Sequence, residues 1–151
     1  MKKVTFSLMV IALTVALAIS VAAPVSAQAM GIYIDIKPGS DPNALNVKSK
    51  GVLPVAILTT DTFDASTVDP ETMELCYTDG CVNPLRWALE DVDGDGDIDM
   101  VLKFKTQEIV AQNLSTLDPG DVATLELEGE DTDEHPIRGF DNVIITSVGY
   151  T

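Results

Sequence analysis

The stretch EDVDGDGDID, residues 90–99, decides how this chain is interpreted. Six of its ten residues are acidic, a density that repels itself unless a cation lies among the carboxylates. From Asp91 to Asp99 the spacing is D-x-D-x-D-G-x-x-D. Calcium prefers several hard oxygen ligands and tolerates flexible geometry, so this spacing predicts a calcium-binding loop.

Each residue type in the loop has a predicted task. Alternate acids on a tightly curled loop point at one centre, and Gly96 permits the positive φ that turns the chain back. The carbonyl of residue 97 is placed to ligate, and residue 99 contributes directly or through a water. No nucleophile or base is near in sequence, so the site is predicted to be structural. The predicted ligands are Asp91, Asp93, Asp95, Asp97 and Asp99.

The flanks of the loop predict strands, not helices. An EF-hand would place a bidentate Glu at its twelfth position, which here is Leu102. Residues 84–89 and 98–104 alternate apolar and polar side chains, which is strand periodicity. The loop resembles the calcium hairpin of integrin α-subunit repeats and, less closely, the first half of a dockerin loop. That resemblance implies an ion site without a propeller, because the unit does not recur in this chain.

The N-terminus has the features of a secretory signal. Lys2 and Lys3 precede an apolar run over 4–23, and Val25-Ser26-Ala27 offers a small-residue cleavage site, with Ala27-Gln28-Ala29 as the competing frame. We therefore expect residues 1–27 to be removed and the mature chain to be secreted, extracellular or periplasmic, without membrane insertion. Loss of the two lysines takes the net charge from −15 to −17. Such a negative field argues against nucleic acid as a partner.

The two cysteines predict a disulfide at the tip of a hairpin. Cys76 and Cys81 bracket four residues that contain the turn signal Asp79-Gly80. In an exported chain such a pair is oxidised. We expect the closed loop to add at most about 2–3 kcal/mol to stability, because short loops restrict the unfolded chain least.

Residues 28–151 predict a single all-β domain. Strand periodicity recurs about seven times with turn signals between, which is typical of an antiparallel immunoglobulin-like β-sandwich. Pro54, inside an apolar run, indicates a strand start, an edge or a bulge. A single helical turn is expected at 67–70, while 106–113 fits a short helix or an edge strand. The predicted strands are 32–37, 51–59, 72–77, one around Trp87, 98–104, 122–128 and 143–148.

The body of the chain resembles a module that recurs in exported bacterial and archaeal proteins. The resemblance is carried by IDIKPGSDPN at 34–43, KGVLPVAIL at 50–58, Phe63-Asp64 and Val68-Asp69-Pro70. It implies an extracellular immunoglobulin-like β-sandwich and no activity.

Other candidate site residues have simpler explanations. Trp87 alternates with Leu85 and Leu89, so we expect it in the core and not in a sugar-stacking platform, whereas Tyr33 is expected to be exposed. His135 precedes a proline and is predicted to be a loop residue. The acids of 128–134 match no ligand template, so a solvated loop is favoured there over a second cation site. The sequon Asn113-Leu114-Ser115 is a short match that carries little weight.

Three functions fit these features. The first is a secreted calcium-stabilised β-sandwich with a structural or adhesive role at the cell exterior, with other surface proteins or glycans as partners. The second is a calcium-dependent carbohydrate-binding module, which needs exposed aromatic rings. The third is a small hydrolase, which needs a groove that joins two carboxylates.

Overall fold

The structure, a computed structural model, describes residues 26–147. Nearly all of the predicted signal at 1–27 and the end of the last predicted strand, Val148, lie outside these residues. One short helix, α1, spans Thr106–Val110, and single 3-10 turns lie at Ala65–Thr67 and Leu114–Thr116. The strands are β1 Met30–Gly31, β2 Ile34–Ile36, β3 Ala44–Asn46, β4 Val52–Ile57, β5 Val68–Tyr77, β6 Gly80–Val82, β7 Arg86–Glu90, β8 Asp99–Lys105, β9 Val122–Asp131 and β10 Pro136–Thr146.

The strands form two sheets. The first has the order β1-β10-β9-β5-β6, with β3 also paired to β10, and the second has the order β2-β4-β8-β7. All pairs of the second sheet are antiparallel, as predicted, but β10 pairs in parallel with both β1 and β3. The prediction of a purely antiparallel architecture was therefore wrong at that edge, where the two short segments β1 and β3 lie before and after β2 of the other sheet.

One hydrophobic core joins the inward faces of both sheets. From β9 it receives the alternating residues Ala123, Leu125 and Leu127. From β8 it receives Met100, Leu102 and Phe104. This agrees with an all-β sandwich, in which two sheets cover each other's apolar faces.

Each of the seven predicted strands coincides with an observed one. The strands missed by the sequence prediction are β1, β3 and β6, which have two or three residues and are too short to show periodicity. Two observed strands begin earlier than predicted, β5 at Val68 and β10 at Pro136. The helical turn expected at 67–70 lies instead at Ala65–Thr67, capped by the Asp64 side chain.

Pro54 lies inside a central strand without breaking its pairing. Its carbonyl accepts the Lys37 N–H at 2.8 Å, on the side of β4 that faces β2. In an antiparallel strand the N–H and C=O of a residue point the same way, so the missing N–H of Pro54 also faces β2. The proline therefore costs no hydrogen bond to β8, and β2 ends at Ile36, one residue before the position opposite Pro54.

The IDIKPGSDPN stretch carries the chain from one sheet to the other. It leaves β2, turns at Lys37 and Gly39, which have φ of 55° and 85°, and passes a cis Asp41–Pro42 bond to reach β3. The Asp141 carboxylate of β10 accepts the Ile36 N–H at 2.8 Å and the Asn43 side-chain amide at 2.9 Å. These contacts give the stretch a structural task at the junction of the two sheets.

The expectation that Trp87 lies in the core was wrong. Leu85 and Trp87 are each 50 % exposed, and Leu89 is 46 % exposed. Their alternation was correct, but β7 is the edge of its sheet and the opposite sheet ends in the three-residue β6. Ile98, included in the predicted strand 98–104, is exposed and lies before β8, which begins only at Asp99. Tyr33 is 72 % exposed, as predicted.

Two further expectations were resolved by the fold. Of the two structures open for 106–113, the helix is the one observed, over Thr106–Val110. The disulfide Cys76–Cys81 is confirmed, and it joins β5 to β6 across the Thr78-Asp79 turn.

Candidate metal centre

The acidic loop connects two paired strands. Arg86–Glu90 and Asp99–Lys105 form an antiparallel hairpin in which Glu90 lies opposite Asp99. Residues 91–98 are therefore held at both ends by the sheet. This arrangement is the one that the strand-like flanks of the loop predicted.

Asp91 curls the first half of the loop. Its carboxylate accepts the N–H of Gly94 at 2.8 Å through one oxygen and that of Gly96 at 3.0 Å through the other. Both glycines have positive φ, 77° and 96°, a conformation that L-residues with a side chain seldom adopt. The alternation of Asp and Gly is thus what allows the backbone to wrap around the Asp91 carboxylate.

Asp99 ties the loop to the neighbouring strand. It is fully buried, and its two oxygens accept the N–H of Thr59 at 2.8 Å and of Val92 at 3.0 Å. The Thr59 hydroxyl in turn donates to the carbonyl of Ile98 at 2.5 Å. Sequence reasoning missed Thr59, which lies 40 residues before Asp99 and belongs to no recognisable motif.

Three of the five predicted ligands come together. One carboxylate oxygen from each of Asp91, Asp93 and Asp99 lies within 4.8 Å of the other two. Asp95 and Asp97 do not belong to this group. The Asp95 carboxylate instead accepts the Asp97 N–H at 2.8 Å, as Asp93 accepts that of Asp95 at 3.2 Å.

The electrostatics of this group suit a cation. Every ion pair found in residues 26–147 lies elsewhere and leaves the loop acids without a basic partner. The Asp95 N–H lowers the pKa of Asp93, but partial desolvation and the nearby carboxylates of Asp95 and Asp99 outweigh it, so the pKa of Asp93 is raised. Neighbouring carboxylates repel one another when all are ionised, and a cation among them would relieve that repulsion. Hard carboxylate oxygens on a flexible loop are the ligands that calcium takes.

A second group of metal-ligating residue types lies on the outer face of the first sheet. It consists of Glu74, Cys76, Cys81 and Glu128. Because the two sulfurs are joined in the disulfide, they are not thiolates. Glu128 Oε2 lies 3.2 Å from Arg138 Nη2, so the second carboxylate is already paired. A groove of about 280 Å³ beside it is lined by Glu74, Glu128 and Glu130.

The acids between residues 128 and 134 do not all lie in a loop, as was predicted: Glu128, Glu130 and Asp131 belong to β9, and only Asp133 and Glu134 lie in the turn that leads to β10. One Asp131 oxygen accepts the backbone N–H of both Asp133 and His135 at 2.9 Å. The other lies 3.0 Å from His135 Nδ1. His135 is exposed in this turn, as expected of a loop residue. Its hydrogen bond to the Asp131 carboxylate, together with the charge of that group, raises the pKa of His135.

A surface groove borders two exposed aromatic rings. Tyr33 and Phe140, 72 % and 56 % exposed, line a groove of about 470 Å³ on the outer side of β10. Sequence reasoning found Tyr33 but not Phe140. Along β10, Phe140 lies on the face of the strand opposite to that of the buried Ile137 and Val143. This period-2 pattern was a signal from which its exposure could have been predicted.

Comparison with known proteins supplies no relative. No protein-family model, curated protein or solved structure matches this chain. Within residues 26–147, no helix combines the length and the apolar character needed to cross a membrane.

Proposed function

We propose that this chain is a secreted β-sandwich module, stabilised by calcium, that has a structural or adhesive role at the cell exterior. The proposal includes the cleaved signal, an immunoglobulin-like class for the sandwich and no catalytic role. The observation that carries it is the meeting of Asp91, Asp93 and Asp99 within 4.8 Å at the mouth of the β7–β8 hairpin.

The position of these carboxylates supports a stabilising ion. Asp99 is buried and holds the N–H of Thr59, so a cation at this group would link the loop to β4 as well as to both strands of the hairpin. The remaining coordination positions fall to Asp95, to the Asp97 carbonyl or to water in this proposal. An ion held in this way neutralises acids that otherwise repel, and it binds the folded chain in preference to the unfolded one.

Removal of calcium tests the proposal. At about a hundredfold excess over its dissociation constant, calcium adds about 2.7 kcal/mol to the free energy of unfolding. For a domain of this size that corresponds to a melting temperature about 10 °C higher than in chelator. Differential scanning calorimetry of calcium-loaded protein, before and after excess chelator, measures the shift. An unchanged melt would contradict the proposal.

A calcium-dependent carbohydrate-binding module is the second candidate. The observation that favours it is the groove between Tyr33 and Phe140, since sugar rings stack on exposed aromatic faces. A glycan array in calcium buffer tests it, with the Phe140→Ala variant as the comparison. Binding that is lost in Phe140→Ala supports the carbohydrate function, and no binding to any glycan favours the structural role.

A further inference from the structure

Among residues 26–147 no strand pairs with the outer edge of β7, and this edge carries a row of exposed apolar side chains. Leu85, Trp87 and Leu89 are each about half exposed, while their neighbours across the ladder, Leu102 and Met100, are buried. The row thus continues the inward face of its sheet beyond the point where the opposite sheet covers it. An edge strand of this kind, with unpaired backbone groups and apolar side chains, can pair with a strand of another chain.

The direction of the backbone groups identifies the residues available for pairing. Leu85 N–H donates to the Lys103 carbonyl at 2.8 Å, and Lys103 lies opposite Arg86. Lys103 therefore directs its N–H and C=O towards β7, and Arg86 faces it. By alternation Ala88 and Glu90 also face β8, whereas Trp87 and Leu89 present their N–H and C=O groups to the open edge.

The strand is complementary to itself. Its sequence is Arg86-Trp87-Ala88-Leu89-Glu90, with a positive residue at one end and a negative residue at the other. We propose that two copies of this chain associate through β7, antiparallel, with the two-fold axis at Ala88. Arg86 of each copy then lies opposite Glu90 of the second copy, and Trp87 lies opposite Leu89 of the second copy.

This register satisfies the backbone and the side chains together. Trp87 and Leu89 are the residues whose N–H and C=O groups are free, and the register makes them the hydrogen-bonded pairs. Arg86 and Glu90 fall at the non-hydrogen-bonded positions, where opposite Cα atoms approach to about 4.5 Å and side chains are closest. Both charged residues lie on the face opposite the apolar row, so the row remains continuous across the two copies.

Charge at the contact, and not the net charge, favours a second copy over an unrelated strand. Two copies of this acidic chain repel each other at long range, but the Arg86–Glu90 match supplies two attractive pairs at the contact itself. A two-fold contact of this kind uses both free edges and closes the assembly. The other edge of the sheet is not available, because the Ile36 N–H of β2 is bound to the Asp141 carboxylate.

Charge reversal tests the register. The purified exported protein is studied in saturating calcium by analytical ultracentrifugation, with the fluorescence of its single tryptophan as a second readout. Arg86→Glu places two like-charged pairs at the contact and is expected to weaken the dimer about tenfold or more. The double variant Arg86→Glu/Glu90→Arg restores the opposite-charge pairs and is expected to recover the dimer.

A charge reversal away from β7 is the control for Arg86→Glu. Lys50→Glu makes the same change in net charge at an exposed position away from β7 and is expected to leave the dimer intact. Because calcium is saturating throughout, failure of the dimer is distinguishable from failure of the calcium proposal. A wild-type protein that stays monomeric at about 0.5 mM overturns the inference. So does a dimer that Arg86→Glu leaves unchanged, or a monomer whose Trp87 emission responds to oligosaccharide.

Discussion

At the scale of single residues, Asp99 has two places in the structure, of which the sequence motif shows only one. It is the last acid of the loop motif, and it is also a buried acceptor for the Thr59 N–H. Asp93 is different, because it is exposed and accepts only the N–H of Asp95 among the hydrogen bonds found for it. Under the calcium proposal the two residues therefore separate metal binding from folding: a change at Asp99 would disturb both, and a change at Asp93 would report mainly on the ion.

We predict that Asp93→Asn weakens calcium binding with little effect on the metal-free fold. The variant removes one charge from the three carboxylates that converge, and calcium affinity depends on the number of charged ligands. We expect a dissociation constant at least about tenfold higher by isothermal titration calorimetry. Asp61→Asn removes an equal charge from an exposed position outside the loop and is the matched control. Equal affinities for the two variants would remove Asp93 from the ligand set.

His135 is predicted to titrate above its ordinary pKa of 6.5. Its hydrogen bond to Asp131 and the charge of that carboxylate both raise the pKa, so the protonated ring stabilises the fold below 6.5 and this contribution is lost as the pH rises through the raised value. The N–H of His135 and its protonated ring lower the pKa of Asp131, whose contribution is present above 3.8 and lost as the pH falls through the lowered value.

An NMR titration of the His135 ring measures this directly, since it is the only histidine. In Asp131→Asn the ring should titrate closer to 6.5, although the amide oxygen still accepts the two backbone N–H groups of the turn. A titration midpoint that Asp131→Asn does not move would show that the general acidity of the chain, and not this pair, sets the pKa.

At the scale of elements, the junction between β2 and β3 depends on a carboxylate supplied by β10. Asp141 accepts from Ile36 and Asn43, which stand at the two ends of the crossover. The turn residues of this crossover were visible in the sequence as Pro, Gly and Asn. Its anchor was not, because Asp141 lies 105 residues from Ile36.

We predict that Asp141→Ala lowers the free energy of unfolding by about 1–3 kcal/mol, because it leaves the N–H of the buried Ile36 without a partner. We expect a loss near the lower end of this range. Burial and, after it, the charge of Asp141 raise the pKa of Asp35, so Asp141→Ala also removes an unfavourable repulsion between the two carboxylates. Urea denaturation gives the change. Asp141→Asn, which keeps an acceptor, should lose less.

Asn83→Ala is the control for this variant. It removes an exposed hydrogen bond of 3.5 Å to Glu74 and should change stability by less than about 0.5 kcal/mol. If Asp141→Ala were as harmless as this control, the crossover would not depend on the carboxylate.

At the scale of the whole molecule, the net negative charge lowers the stability of the folded chain as a whole, and not only at the acidic loop. The net charge of −15, or −17 if residues 1–27 are removed as proposed, makes the compact state repel itself. We therefore predict that the calcium-free protein melts at a higher temperature as sodium chloride is raised from about 10 mM to about 1 M, because the screening length falls from about 30 Å to about 3 Å. Calorimetry in chelator measures it, and Lys50→Glu, being more acidic, should depend on salt more steeply. A melting temperature independent of salt would contradict this view.

The sequence by itself determined the features that depend on neighbours along the chain. The Asp and Gly spacing of residues 91–99 predicted a curled loop between paired strands, and the cysteine pair predicted its disulfide, because turns and short closures are set by local backbone geometry. Alternation located seven strands, since side chains in a strand point alternately to its two sides. These parts are confirmed, while calcium as the ion and the complete ligand set stay predictions.

Only the tertiary structure decided what depends on distant residues. Alternation showed that Leu85, Trp87 and Leu89 share a face, but exposure of that face depends on which strand forms the edge and where the opposite sheet ends. The bonds of Thr59 to Asp99 and of Asp141 to Ile36 likewise join residues 40 and 105 positions apart. Periodicity describes one strand at a time, whereas burial and long-range hydrogen bonds are properties of the packed sheets.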